Sequence, residues 1–152
     1  MIIGILSFLI VLIVFLFFVY PRLSVEPGES LDLQKPFETP FIVKNDGYWP
    51  LVDVSCELAF DKLEDINSKR FTHLGNRDTA NNIPKLWGNE SFSIFINRSV
   101  GTPPEHIKYV ELYINVTYRP FLIPITFTEN KRFKTNRKPN DEYIWSKILS
   151  KK

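Results

Sequence analysis

The chain is poor in nearly every residue type that carries chemistry. Among its 152 residues there is one cysteine, Cys56, and two histidines, His73 and His106. A lone thiol cannot close an internal disulfide, and a zinc site needs several ligands that this chain does not supply. No GxxxxGK[ST], GxSxG or GxGxxG sequence occurs, which removes the P-loop, α/β-hydrolase and dinucleotide readings. Alanine appears only as Ala59 and Ala80, a composition that disfavours long helices. Charge of one sign is also missing: the net charge is +2 with acids and bases interspersed, so the bulk balance carries no nucleic-acid footprint. These absences predict no catalytic residue, no metal or cofactor site and no small-molecule substrate.

What is present begins with grease. Residues 2–19, IIGILSFLIVLIVFLFFV, hold no charge and are interrupted only by Gly4 and Ser7, close to the roughly twenty apolar residues that cross a bilayer as a helix. Tyr20, Pro21 and Arg22 follow as an interfacial aromatic, a helix terminator and a charged stop. A cleaved signal peptide would have a basic start and small residues at its end, whereas here no Lys or Arg precedes the run and Phe17, Phe18, Val19 and Tyr20 are bulky. A buried core helix would show a polar face, which this run lacks, and a pilin-type stem would carry an early Glu. The sequence therefore predicts a transmembrane anchor over residues 2–20 and one domain over residues 21–150. Arg22 is followed by Glu26, Glu29 and Asp32 before Lys35, too few bases to hold the flank in the cytoplasm. A domain outside the cytoplasm is expected.

Aromatic residues make up 14% of the chain and eleven prolines punctuate it, which suits short strands and turns. LSVEPGESLDL, residues 23–33, reads as two short strands about a Pro27-Gly28 turn. FIVKN, residues 41–45, reads as a strand, and Asp46-Gly47 after it as a hairpin turn into the next run. In that run Val52, Val54, Cys56, Leu58 and Phe60 alternate with Asp53, Ser55 and Glu57, a half-buried strand. Phe92, Ile94 and Ile96 repeat the pattern, as do Val110, Leu112, Ile114, Val116 and Tyr118. Residues 125–135 supply a strand or strand pair, with Glu129-Asn130-Lys131 as turn or bulge, and YIWSKI, residues 143–148, a closing strand. Residues 61–89 lose the alternation and read as a long crossover with a short helix near Leu63. About seven strands in this length predict an all-β fold, an immunoglobulin-like Greek-key β-sandwich without the disulfide. A closed barrel or jelly roll fits the same spacing.

The segments PFIVKNDGYWPLVDVSCEL and YVELYINVTYRPFLIP…KRFKT…YIW resemble a family of small, uncharacterised bacterial single-pass membrane proteins with an immunoglobulin-like exposed domain. The resemblance spans most of residues 40–56 and 109–145, and its motifs are structural. It implies the anchor and the sandwich, and no activity. This chain departs from the pattern at Asn140-Asp141-Glu142, where a glycine-containing turn is expected.

The remaining polar residues have bland readings. His73 and His106 sit in polar contexts without ligand-spaced partners. Cys56 lies on the apolar face of its strand as a small buried hydrophobe. Asp61, Glu64 and Asp65 lack calcium-loop spacing and read as a solvated face. Asn89, Asn97 and Asn115 open N-glycosylation sequons. Two features point outward. Lys131, Arg132 and Lys134, with Arg137 and Lys138, form a basic cluster for which anionic headgroups or a polyanionic cell-surface polymer are more natural partners beside an anchor than nucleic acid, and which otherwise reads as a solvated strand face. PFLIP, residues 120–124, would expose Phe121, Leu122 and Ile123 at a hairpin tip, as a membrane or partner contact or packed against the crossover. The function these features predict is a non-enzymatic, membrane-tethered interaction or scaffold module. Its partners would be the lipid bilayer and another membrane or envelope protein. The alternative is an envelope-assembly or lipid-handling component with an open apolar groove. An enzyme would need His73 or His106 gathered with distant acids.

Overall fold

Residues 7–12, 20–67, 70–96 and 106–149 are described by the structure, a computed structural model, with the side chains of residues 70–81 left aside. The strands are Leu23–Pro27 (β1), Phe41–Asn45 (β2), Leu51–Asp65 (β3), Arg70–Leu86 (β4), Ser91–Ile94 (β5), Ile107–Pro120 (β6), Phe127–Arg137 (β7) and Tyr143–Ile148 (β8). They form two antiparallel sheets, one in the order β1-β2-β5 and the other β4-β3-β6-β7-β8. The all-β expectation holds.

The apolar alternation of the sequence becomes the inner faces of these sheets. Val110, Leu112, Ile114, Val116 and Tyr118 of β6 are all buried, as are Val25, Phe41 and Val43 of the small sheet and Phe133 of β7, which is the cross-strand partner of Leu112. Phe41 is the keystone, with its ring centroid 4.8 Å from that of Phe133 and 5.4 Å from that of Trp145. Such tilted and edge-on contacts add to the area that the rings bury.

The two sheets differ in length. Strands of four and five residues cannot cover strands of eleven to seventeen, so something else must shield the far half of the large sheet. Residues 28–40 do so, which corrects the second strand expected at residues 29–33. After β1 the Gly28 N–H bonds to Pro40 O at 2.8 Å, and the segment between loops over the sheet with a 3-10 turn at Pro36–Glu38. Phe37 meets Phe60 edge-on at 5.5 Å, Trp145 Nε1 donates to Pro36 O at 2.7 Å, and the Tyr143 N–H donates to Leu33 O at 2.7 Å.

Three further expectations are corrected. The long crossover with a helix near Leu63 is instead the continuation of β3 and most of β4. The inward phase of β3 slips at Phe60–Lys62, where one extra residue is fitted opposite β6, so burial resumes at Leu63 and Asp65. An earlier slip at Asp53, held in the left-handed region at φ 54°, buries Leu51 in place of Val52. A bulge of this kind hides a strand from any period-two reading. Next, Asp46-Gly47 does not close a hairpin, because β2 and β3 belong to different sheets. Lastly, Glu129-Asn130-Lys131 is neither turn nor bulge, since β6 and β7 pair without a register shift.

The β2–β3 corner is held by Asn45, which is fully buried. Its Nδ2 donates to Trp49 O at 2.8 Å and Leu86 O at 3.1 Å, and its Oδ1 accepts from the Gly47 N–H at 3.0 Å. Its backbone N–H and C=O bond to Glu90 O and the Asn89 N–H. Gly88 fits beneath this corner so closely that a Cβ would lie 2.6 Å from Tyr48 O and 2.7 Å from Gly47 O. Gly88→Ala is expected to lower stability by about 2–3 kcal/mol, as overpacking against immovable backbone does. Thermal unfolding followed by circular dichroism should show the midpoint falling by several degrees; an unchanged midpoint would mean that the corner yields freely.

At Asp141 the turn between β7 and β8 has φ 62°, the conformation for which glycine is ordinarily used. The chain fills the expected glycine position with an aspartate paired to Arg137 at 3.0 Å.

Candidate functional site

Four chain segments converge at one end of the sandwich. Leu51 lies opposite both Leu86 and Pro120, so β3 begins where β4 and β6 end. Residues 20–22 reach the same end, with the Asp46 N–H bonded to Arg22 O at 2.8 Å. The β6–β7 connection joins through the Phe121 N–H to Pro50 O at 3.0 Å. The end is therefore built from the start of β1, the β2–β3 loop, the β4–β5 turn and the 121–126 connection.

This end is aromatic and uncovered. Tyr20, Tyr48, Trp49, Trp87, Phe121, Leu122 and Ile125 are all exposed, Tyr48 at 71%, Phe121 at 54% and Trp87 at 53%. Lys85 ties two of the rings together, its Nζ lying 3.8 Å from the Trp87 centroid and 5.2 Å from that of Phe121, a cation–π arrangement. The turn below is fixed by the Trp87 N–H donating to Glu90 Oε2 at 2.8 Å. Phe121 thus keeps local contacts and still shows half its ring to solvent.

The residues expected to make outward contacts do not all come together. Phe121 and Leu122 are exposed at this end, while Ile123 is half-buried, its N–H bonded to Pro120 O at 3.1 Å. Lys131 and Lys134 lie about 13 and 23 Å further along β7 from Phe127, at ~3.3 Å per residue. The basic cluster is largely neutralised: Lys131 pairs with Glu129, Arg132 with both Asp61 and Glu111, and Arg137 with Asp141. Phe133, the aromatic within it, points into the core. Lys134 is exposed and its ammonium takes part in no ion pair among the described residues.

The acids Asp61, Glu64 and Asp65 are not a solvated face, which corrects the earlier expectation. Asp61 and Glu111 share the Arg132 guanidinium, Lys62 and the Tyr109 hydroxyl also meet Glu111, Lys108 bonds to Glu64 at 3.0 Å, and Asp65 is buried. This network fastens β3 to β6 and β7 across the outer face of the large sheet. Burial pushes the Tyr109 phenol up to about 12, helped by its hydrogen bond to Glu111. Cys56 is enclosed, and burial pushes its thiol up to about 12, far from the thiolate a nucleophile needs. His106 is exposed, and the His73 side chain lies outside the described residues. Among the described residues no cluster of His, Cys, Asp and Glu could hold a metal ion. Of the sequon asparagines, Asn89 is exposed in a turn, Asn115 accepts a bond from Asn130 at 2.7 Å, and Asn97 lies outside the described residues.

The sequence reading found Phe121 and Leu122 and missed Tyr48, Trp49, Lys85 and Trp87. A usable signal existed: two of the three tryptophans sit beside Gly or Pro in turn-forming stretches, Trp49-Pro50 and Trp87-Gly88. A large ring in a turn is seldom core. A scan against protein-family models, a search of curated proteins and a search of solved structures each find no match to this chain.

Proposed function

We propose that the chain is a membrane-tethered, non-enzymatic interaction or scaffold module, anchored by residues 2–20 and carrying its β-domain outside the cytoplasm. The observation that carries this is the apolar run itself. Of residues 2–19, residues 7–12 are helical and Phe8, Leu9, Ile10, Val11 and Leu12 are all exposed, so the domain offers them no cover. Apolar residues exposed around a whole helix belong in lipid. No helix among the described residues is long and apolar enough to cross a membrane, and the rest of the run lies outside them.

The domain is read as an immunoglobulin-like Greek-key sandwich. Supporting this, β1, β2 and β5 take the places of strands A, B and E, and β3, β6 and β7 those of C, F and G, with β4 beside C and β8 added beyond G. The resemblance of residues 40–56 and 109–145 to small bacterial single-pass membrane proteins is in keeping with the same reading. An interaction role is favoured over lipid handling because the space between the sheets is filled. Phe41, Val43, Leu112, Ile114 and Phe133 are fully enclosed there, and among the described residues no buried side-chain N or O atom lacks a partner. A carrier would keep an open apolar groove instead.

The test is alkaline carbonate extraction of membranes from cells making the full-length chain. The chain should stay in the pellet and move to the supernatant only with detergent. Recovery of intact, uncleaved chain in the soluble fraction would overturn the proposal. Crosslinking from the same membranes, with the anchor retained, would identify the partner.

A further inference from the structure

We infer that the aromatic end of the sandwich rests in the headgroup region of the bilayer, so that the domain stands end-on against the membrane instead of floating on its tether. The inference deepens the anchored reading and depends on it. Three observations carry it. The eighteen uncharged residues 2–19 lead directly into Tyr20, and the Tyr20 carbonyl lies 3.9 Å from where a Gly47 Cβ would sit, so the chain joins the domain at this end with no linker between. The exposed side chains there are Tyr20, Tyr48, Trp49, Trp87, Phe121 and Leu122, the tryptophan and tyrosine mixture that collects at membrane–water interfaces. Trp145, in contrast, is 5% exposed and lies within the core, so the exposure of tryptophan belongs to this end and not to tryptophan in general.

Charge identifies the lipid. Lys85 sits over Trp87, Lys44 pairs with Asp46 at 3.0 Å, and Glu90 holds the Trp87 turn; with the exposed Arg22 the rim sets three bases against two acids, a surplus of a single positive charge. The more basic stretch of β7 stands further up, with Lys131 and Arg132 already ion-paired. The rim therefore suits a zwitterionic interface entered by amphipathic rings, and its hold should be insensitive to salt.

The experiment uses the full-length chain reconstituted into phosphatidylcholine vesicles, part of whose lipid bears a nitroxide near the headgroup end of the acyl chain. Residues 2–19 contain no tryptophan, so emission reports the domain alone. Emission should be strongly quenched at low and high salt, and the quenching should be lost in the Trp49→Phe/Trp87→Phe variant, where only Trp145 remains. Both replaced rings are exposed, and near-ultraviolet circular dichroism of Trp145 verifies the fold. Unquenched emission from chains that float with the vesicles would overturn the inference and leave the anchor standing. Quenching that persists in the double variant would overturn it too. Failure of the chain to float would remove both the inference and the anchor.

Discussion

Asn45→Asp should leave the domain unfolded at neutral pH and recover much of its stability near pH 4, a larger loss than Asn45→Ala causes. In the alanine variant three backbone groups, Trp49 O, Leu86 O and the Gly47 N–H, lose their partner inside the protein. Each unsatisfied buried group costs about 1–3 kcal/mol, set against a total stability of roughly 5–15 kcal/mol for a domain. Aspartate keeps the acceptor for Gly47 but turns a carboxylate oxygen towards two carbonyl oxygens, beside Asp46. The folded state then disfavours the ionised form, and the pKa of the new acid rises above its unfolded value of about 3.9. Between those two values the unfolded chain binds fewer protons than the native one, so stability falls as pH rises and levels off once the native carboxyl ionises. Below about pH 4 the protonated acid restores one donor. Urea denaturation of wild type and both variants at pH 4 and pH 7 tests this, read as differences from wild type because acids such as Asp46, held below their ordinary range by Ser24 and Lys44, make the wild type itself pH-dependent. Equal stability of the two variants at pH 7 would show that the corner does not depend on a donor at Nδ2.

The second large effect is alkaline unfolding. Burial raises the Cys56 thiol from 9.0 to about 12 and the Tyr109 phenol from 10.0 to about 12. Tyr118 and Tyr143 are raised mainly by burial as well, Tyr118 also by its bond to Glu129. In every case the folded state favours the protonated form. Above pH 9 to 10 the unfolded chain has released these protons and the native chain has not, so stability falls with rising pH by up to about 1.4 kcal/mol per unit for each group. Tyr109, partly exposed, contributes least. The expected result is cooperative loss of the β circular dichroism signal before pH 12, accompanied by tyrosinate absorbance from these three positions. Tyr118→Phe should reduce the number of protons released in the transition by one. Full tyrosinate absorbance appearing ahead of any change in circular dichroism would mean that the phenols ionise in place.

Most of the fold was legible because its inner faces obey simple alternation. β2 and β8 coincide with FIVKN and YIWSKI, and β6 declares its five inward residues without interruption. What was hidden has physical causes. β3 slips phase twice, at Asp53 and Asp61, and β4 stands at the edge of its sheet with no further strand beside it among the described residues, so neither presents a clean apolar period. Residues 28–40 serve as a cover over a sheet too long for its partner, a role that depends on tertiary packing and leaves no local pattern. Asp46-Gly47 has the composition of a hairpin turn, but Asn45 commits its amide to Leu86, forty-one residues onward, and takes the chain to the other sheet. At the candidate site the tip was visible as PFLIP, whereas its aromatic companions come from three other segments that only the topology brings together. The ion pairing of the basic run of β7 was hidden for a related reason: the carboxylates of Asp61 and Glu111, which partner Arg132, lie on other strands.

One property of β1 follows from where the chain enters. Leu23 pairs with Asn45 and Pro27 with Phe41, so tension on the backbone ahead of Tyr20 runs along the axis of that strand, at right angles to its ladder of hydrogen bonds. Such a load shears all the rungs at once and does not unzip them in turn. The Asn45 corner sits at the point where the force arrives, and the Lys147–Glu26 ion pair, 2.7 Å long, ties the far part of the strand to the neighbouring sheet. The domain is fastened to its N-terminal lead in the geometry that best resists a pull.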